Sequence, residues 1–527
     1  MNIFELQKFI FSENSRVNLI NFENTIKKEY KIFIYRNHSF ETIESIIYPY
    51  LFYSKINADF IYSNYDDSFS FNELDQEADM LIFWVDLDRY KENAINFVLQ
   101  RLEVLQKQYH KPILLVPTMS SELFSNRRFY YCSLEDIKDC LEGDFFDKRL
   151  EKFTGTSLSD KACLKIAKKI GLKYIPALLR PNLKAIVVDL DNTLYQGVLG
   201  EDGINGIVLT PGHRRLQEML KEKKQEGYFL SIASKNNLDD VQKLFTFRDD
   251  FPLQMDDFSY VMANWECKAN SIQKIISKLN INVDSVLFID DNASEILSVL
   301  SVFDTCNFIL ASEDANKTCD ILADYPRLLK LRTNIEDSIR QKDILANEMR
   351  EQIKKTMSNE EYLKSLEICI TYNFNNKNQT SRISELANKT NQFIFNYKRY
   401  SENEILSRME DDRYIVASVE LKDKLSNSGI IGVCVGYIEE QVLTLEECFV
   451  SCRALGRGLD DLIILGCIEK MMKKANVFKL KVLFSKGERN LPAEKFIQEK
   501  LQDYTIKPYI FSYNHISDFV KVTIIGD

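Results

Sequence analysis

Histidine is scarce in this chain, with four in 527 residues, and the eleven cysteines are an odd number without a single C-x-x-C pair. Those shortages exclude a histidine-built metal centre and a disulfide framework, and point to reduced thiols. No apolar run approaches the ~20 residues that cross a bilayer. The start, Met1-Asn2-Ile3-Phe4-Glu5-Leu6-Gln7-Lys8, has neither a basic region nor an apolar core, so no signal peptide and a cytoplasmic location are expected. A net charge of −10 with interspersed signs argues against nucleic-acid or membrane binding over the whole surface. One basic run stands out, Lys470, Lys473, Lys474, Lys479, Lys481, Lys486 and Arg489. It reads as a solvated face or as a landing site for an acidic partner. Gly/Ser tracts, repeats and low-complexity segments are absent, and the length suggests three or four domains.

What is present is a pair of carboxylates behind an apolar run. Leu183-Lys184-Ala185-Ile186-Val187-Val188 reads as a buried strand, and Asp189-Leu190-Asp191-Asn192-Thr193 follows it. Strand alternation puts Asp189 and Asp191 on one side, where one carboxylate can attack a phosphoryl group and the other can act as general acid and base. Three further strand ends carry complementary groups. Ser234, with Lys235 and Asn236, closes Tyr228-Phe229-Leu230-Ser231-Ile232-Ala233; Lys268 follows Asn264-Trp265-Glu266-Cys267; Asp290 and Asp291 close Val286-Leu287-Phe288-Ile289. Singly, Ser234 also reads as a helix cap, Lys268 as a solvated charge and the acidic pair as a turn. In this order, at the carboxyl ends of parallel strands, they converge on one crevice. Ser234 and Lys268 would bind phosphate, and the carboxylates suit an octahedral Mg2+.

These residues resemble the four motifs of the haloacid dehalogenase (HAD) superfamily. That resemblance implies Asp189 as nucleophile and Asp191 as acid/base. Thr193, Ser234, Lys235, Asn236 and Lys268 are the phosphate binders, and Asp189, Asp191, Asp290 and Asp291 the metal site. From Asp189 to Ser234 is 45 residues and from Ser234 to Lys268 is 34, too short for a separate cap domain. The stretch DLDNTLYQGVLGEDG from Asp189, SKNN from Ser234 and FIDDN from Phe288 are similar to the FkbH-like subfamily. So are Ser365-Leu366-Glu367, the run from Glu385 to Phe393 and Ser451-Cys452-Arg453-Ala454-Leu455-Gly456-Arg457-Gly458. The subfamily implies a 1,3-bisphosphoglycerate donor, loss of phosphate, and delivery of a glyceryl unit to the phosphopantetheine thiol of an acyl carrier protein. Tyr195-Gln196 departs from it, since Trp and a small residue are usual there, so the acyl group can differ.

Near the C-terminus, Gly429 to Ile438 and Gln441 to Leu445 read as two strands, and Cys448 to Cys452 as a third apolar stretch. Arg453-x-x-Gly456-x-Gly458 then precedes a helical pattern from Leu459 to Met472. Strand, glycine-rich turn and helix make a phosphate cradle. It resembles the pyrophosphate loop of GCN5-related N-acetyltransferases (GNAT), which implies that Arg453, Gly456, Arg457 and Gly458 hold a pantetheine arm or CoA. Cys452 is the candidate acyl-carrying thiol, its alternative being a core cysteine; Cys434, Cys448 and Cys467 read as core. His213, after Pro-Gly, reads as a surface or capping residue, its alternative being a base for some step.

The expected fold class is α/β and multi-domain. Residues 1–180 form an N-terminal α/β domain, 181–325 a capless HAD-like domain, 326–375 a helical connector, and 376–527 a GNAT-like α+β domain. FkbH-like proteins often carry an SGNH-hydrolase-like domain first. The segment here has neither a Gly-Asp-Ser nucleophile nor a paired Asp-x-x-His, so a non-catalytic role is expected. The expected function is a Mg2+-dependent phosphatase and glyceryl transferase. The alternatives are a HAD phosphatase with another substrate, an acyl-CoA-dependent N-acyltransferase, and a scaffold without turnover.

Overall fold

The protein is described from a computed structural model. The residues described are all except 23–29, 66–70, 72–73, 91–92, 110, 126, 150, 332–342, 344–345, 348, 351, 391, 452–453, 456, 488–489, 502–506, 509–519 and 526–527. The fold is α/β, in two compact units: Met1–Ser277 with Asn282–Thr333, and Asn334–Asp527 with Lys278–Ile281. No helix of the described residues is long and apolar enough to cross a membrane.

The first unit contains two parallel sheets. β1 (Tyr30–Arg36), β2 (Ala58–Tyr62), β3 (Met80–Val85), β4 (Ile113–Pro117) and β5 (Tyr130–Tyr131) lie in the order β2-β1-β3-β4-β5. Every residue of β3 and β4 is buried, as expected of strands covered on both faces by helices. The second sheet joins β6 (Ala185–Val188), β7 (Phe229–Ser234), β8 (Tyr260–Ala263), β9 (Val286–Asp290) and β10 (Asn307–Leu310) in the order β10-β9-β6-β7-β8. From β6 the chain winds outward through β7 and β8, then returns to pair β9 on the other side of β6. The switch in direction therefore falls between β6 and β9, where a doubly wound sheet opens its ligand crevice.

Residues 1–180 and 181–325 thus each hold one sheet, but the two pack as one unit. Gln7, on the helix Ile3–Phe11, donates to the Leu310 carbonyl and accepts from its N–H, both at 3.0 Å. The amide completes the ladder of edge strand β10, leaving it less open to stray pairing. Phe4 packs edge-on against Phe308 and Tyr53 against Tyr325.

The second unit is a mixed seven-stranded sheet of β11 (Cys369–Phe374), β12 (Tyr414–Lys422), β13 (Asn427–Glu439), β14 (Val442–Val450), β15 (Lys479–Val482), β16 (Lys507–Pro508) and β17 (Lys521–Ile525). Their order is β16-β15-β14-β13-β12-β11-β17; β11 to β14 is an antiparallel meander, and β14 pairs β15 in parallel. Cys434, Cys448 and Cys467 are buried in its core, as expected. The break expected after Leu445 is absent, and one strand runs on to Val450. Glu446 is absorbed as a bulge, because Val435 pairs Glu447 while Gly436 pairs Leu445. Glu447 is fully buried, and its carboxylate accepts from the N–H groups of Phe395, Asn396, Lys398 and Cys448. Asp343 and Arg350, from the expected connector, are buried within this unit, Arg350 against Asp423 at 2.7 Å.

Candidate functional site

Asp189 leaves β6, with its N–H bonded to the Ile289 carbonyl of β9, and the residue is only 5% exposed. Asp290 ends β9 and is fully buried. Lys268 begins the helix Lys268–Leu279 after β8 and reaches both, at 3.0 Å from Asp189 Oδ2 and 2.5 Å from Asp290 Oδ2. The other oxygen of Asp290 accepts from the Asn292 N–H at 2.9 Å. Asp189 Oδ1 is buried with no partner. An unsatisfied buried acceptor costs about 1–3 kcal/mol, so this atom faces a place meant to be filled.

One cation does not balance the carboxylates gathered here. Oxygens of Asp189, Asp290 and Asp291 lie within 4.8 Å of one another. Burial, then repulsion from Asp189, pushes the Asp290 carboxyl up to about 7, with Lys268 pulling against that rise. Burial raises Asp189 as well, opposed by Lys268 and Ser234, and burial with Asp189 raises Asp291. Lys268 stays firmly charged, because Asp189 and Asp290 outweigh the effect of its burial. A hard divalent cation with oxygen ligands fits such a set: it would satisfy Asp189 Oδ1 and remove the repulsion.

Asp191, expected as a fourth metal ligand, is not in that group. The turn after it explains why. Asn192 adopts φ 51° and accepts from the Gly197 N–H, while Gly197 sits at φ 113°, where a side chain would be strained and would meet Asp202. The chain curls back, so the Leu199 N–H and the Tyr195 hydroxyl both donate to Asp191 Oδ1, at 2.9 and 2.7 Å. Asn236 Nδ2 donates to Asp191 Oδ2 at 2.9 Å and to Ser234 Oγ at 3.1 Å. Three donors hold the Asp191 carboxylate in a fixed orientation, as proton transfer requires. Tyr195 was legible only as a departure from the family pattern; its buried hydroxyl proves to be one of those donors.

Comparison with protein-family models and with curated proteins finds no match. Among solved structures, the chain is similar to the N-terminal part of the protein BF1531 from Bacteroides fragilis, containing a phosphatase domain complexed with Mg. Identity is 20%, over 63% of this chain and 100% of that one, with a TM-score of 0.47. It is also similar to 3-deoxy-D-manno-octulosonate 8-phosphate phosphatase from Moraxella catarrhalis (16% identity, 30% and 91% covered, TM-score 0.20). A third is ribosomal-protein-S18-alanine N-acetyltransferase from Escherichia coli (15% identity, 25% and 75% covered, TM-score 0.20). Likenesses this faint carry no weight for the chemistry of the site, which rests on its geometry.

The remaining expected residues fall into two groups. Thr193 is buried beside the site with its hydroxyl unpartnered, whereas Lys235 turns outward to Glu295 at 2.5 Å. Cys452, Arg453 and Gly456 lie outside the described residues. Arg457 points into its own unit, donating to Ser428 Oγ at 3.1 Å and facing Asp343 and Asp423 at 3.5 and 3.8 Å. Gly458 takes φ 73°, which calls for glycine, and a Cβ there would meet open space. His213 is buried rather than on the surface, and its ring and N–H bond Thr210, which is itself the cap of the helix Pro211–Gln225.

Proposed function

We propose that the protein is a Mg2+-dependent phosphoryl-transfer enzyme of the HAD type, acting as a phosphatase. The observation that carries this reading is Asp189 Oδ1, buried and unpartnered between Lys268 and the other two carboxylates. Asp189 attacks phosphorus, and the bond to the leaving oxygen breaks as Asp191 gives that oxygen a proton. Water then attacks the aspartyl phosphate, Asp191 takes its proton, and inorganic phosphate leaves. Ser234, Thr193 and the Lys268 ammonium bind the phosphoryl oxygens, while Asn236 orients Asp191 and Ser234. Asp189, Asp290 and Asp291 would hold Mg2+, which would offset the charge of carboxylate and phosphate. Asp189→Asn should abolish phosphate release while the protein stays folded; full activity would refute the assignment.

The finer reading is that the substrate is an acyl phosphate such as 1,3-bisphosphoglycerate, and that the glyceryl unit passes to the phosphopantetheine thiol of an acyl carrier protein. It is supported by the DLDNTLYQGVLGEDG stretch and by the glycine-rich turn ahead of the helix Asp460–Ala475. Incubation with Mg2+, 1,3-bisphosphoglycerate and a phosphopantetheinylated carrier tests it, with a carrier heavier by one glyceryl unit as the expected result. A phosphatase without acyl transfer is the second reading, favoured by Arg457 being turned into its own unit. It expects phosphate release and an unchanged carrier.

A further inference from the structure

The chain contains two tryptophans, and they are treated in opposite ways. Trp84 is fully buried; Trp265 is 71% exposed. A large apolar ring left in water is ordinary when it is isolated on a helix surface. Trp265 is neither isolated nor loose. It lies on the short loop from β8 to Lys268, three residues before the lysine that touches Asp189. Its indole N–H donates to Asn237 Oδ1 at 3.1 Å, and Asn237 directly follows Asn236, which holds Asp191 and Ser234. The hydrogen bond ties together the two loops that supply the phosphate side of the site. It fixes the indole beside the segment Ser234–Asn237 with most of its surface uncovered. Leu238, next to Asn237, is also exposed.

Between β6 and β8 the chain runs through the helices Leu199–Gly206, Pro211–Gln225 and Leu238–Phe247 and through β7, with no inserted domain among them. A group extending from the phosphoryl group therefore meets the loops that carry Asn237 and Trp265 rather than a cap inserted there. We infer that Trp265 is the subsite for the leaving group, and that it takes a planar, apolar group such as an aromatic ring stacked on the indole. This rests on the phosphoryl-transfer reading and adds to it a preference for the alcohol or phenol that departs. Aromatic stacking with burial of one indole face is worth about a tenfold difference in binding.

Two probes separate the subsite from the chemistry: 4-nitrophenyl phosphate carries a planar ring and acetyl phosphate does not. Trp265→Ala should raise KM for 4-nitrophenyl phosphate about tenfold with little change in kcat, leave acetyl phosphate kinetics unchanged, and Trp265→Phe should recover most of the loss. Equal effects on both probes, or none on either, overturn the subsite. Binding is read apart from turnover by calorimetric titration of 4-nitrophenyl phosphate into Asp189→Asn. Adding Trp265→Ala there should weaken binding by a similar factor, and unchanged binding overturns the inference. Weakened binding together with a wild-type protein that hydrolyses neither probe overturns the phosphatase reading, and with it the leaving-group role, and leaves Trp265 only as a binding site for aromatic rings.

Discussion

Magnesium should stabilise this protein strongly at pH 8 and weakly at pH 5. The reason lies in Asp290, whose carboxyl rises from 3.8 to about 7 through burial and the nearby Asp189. For an acid whose pKa is raised by folding, the stabilising contribution is complete below about pH 4 and is lost as pH climbs through 7. A rise of about 3 units at 1.36 kcal/mol each makes the loss roughly 4 kcal/mol for the metal-free protein. Asp189 and Asp291 shift in the same direction. A bound cation cancels the repulsion, so the gain from Mg2+ grows over the same interval. In scanning calorimetry with MgCl2 against EDTA at pH 5, 6.5 and 8, the difference in Tm should widen to on the order of 5–10 °C at pH 8. Asp290→Asn should flatten the pH dependence in EDTA. A magnesium effect that is absent, or equal at all three pH values, would refute the reasoning.

Two further substitutions probe the supports of the site and of the second unit. Tyr195→Phe removes one of three donors to Asp191 and should lower kcat about tenfold while KM holds, since a hydrogen bond to a charged group contributes about 1.5–3 kcal/mol. A changed KM with intact kcat would place Tyr195 in substrate binding instead. Arg350→Ala takes the nearer of two guanidinium groups from the buried Asp423 carboxylate, only 4% exposed, leaving it Arg457 at 3.8 Å and the Leu425 and Ser426 N–H groups, and should destabilise the second unit by roughly 3 kcal/mol in urea unfolding. A loss below about 0.5 kcal/mol would mean that the pair is replaceable by its neighbours.

The central parallel strands were legible because strands buried on both faces are nearly unbroken apolar runs; β3, β4, β6, β7 and β9 all have this form. β2 was not, since its outer residues are only half buried and break the pattern. β14 was misread as two pieces because Glu446-Glu447 looks like a turn in sequence. Only the backbone N–H groups of Phe395, Asn396 and Lys398, distant in the chain, show how such a carboxylate is kept inside a sheet. At the site, the residues that sit at strand ends were readable from position. Their orientation was not. Asp191 and Lys235 share the sequence neighbourhood of the metal and phosphate groups, yet Tyr195, Leu199 and Asn236 claim the first and Glu295 the second. Side-chain partners brought by a turn or by another helix leave no periodic trace, so the sequence pattern could not show these contacts.

The most direct measurement traps the covalent intermediate. The protein is mixed with Mg2+ and acetyl phosphate, quenched with borohydride, digested and sequenced by mass spectrometry, because reduction converts an aspartyl phosphate to homoserine. Homoserine at position 189 that needs both Mg2+ and the phosphoryl donor is the expected result. Turnover without it, or homoserine at another aspartate, would contradict the claim that Asp189 accepts the phosphoryl group.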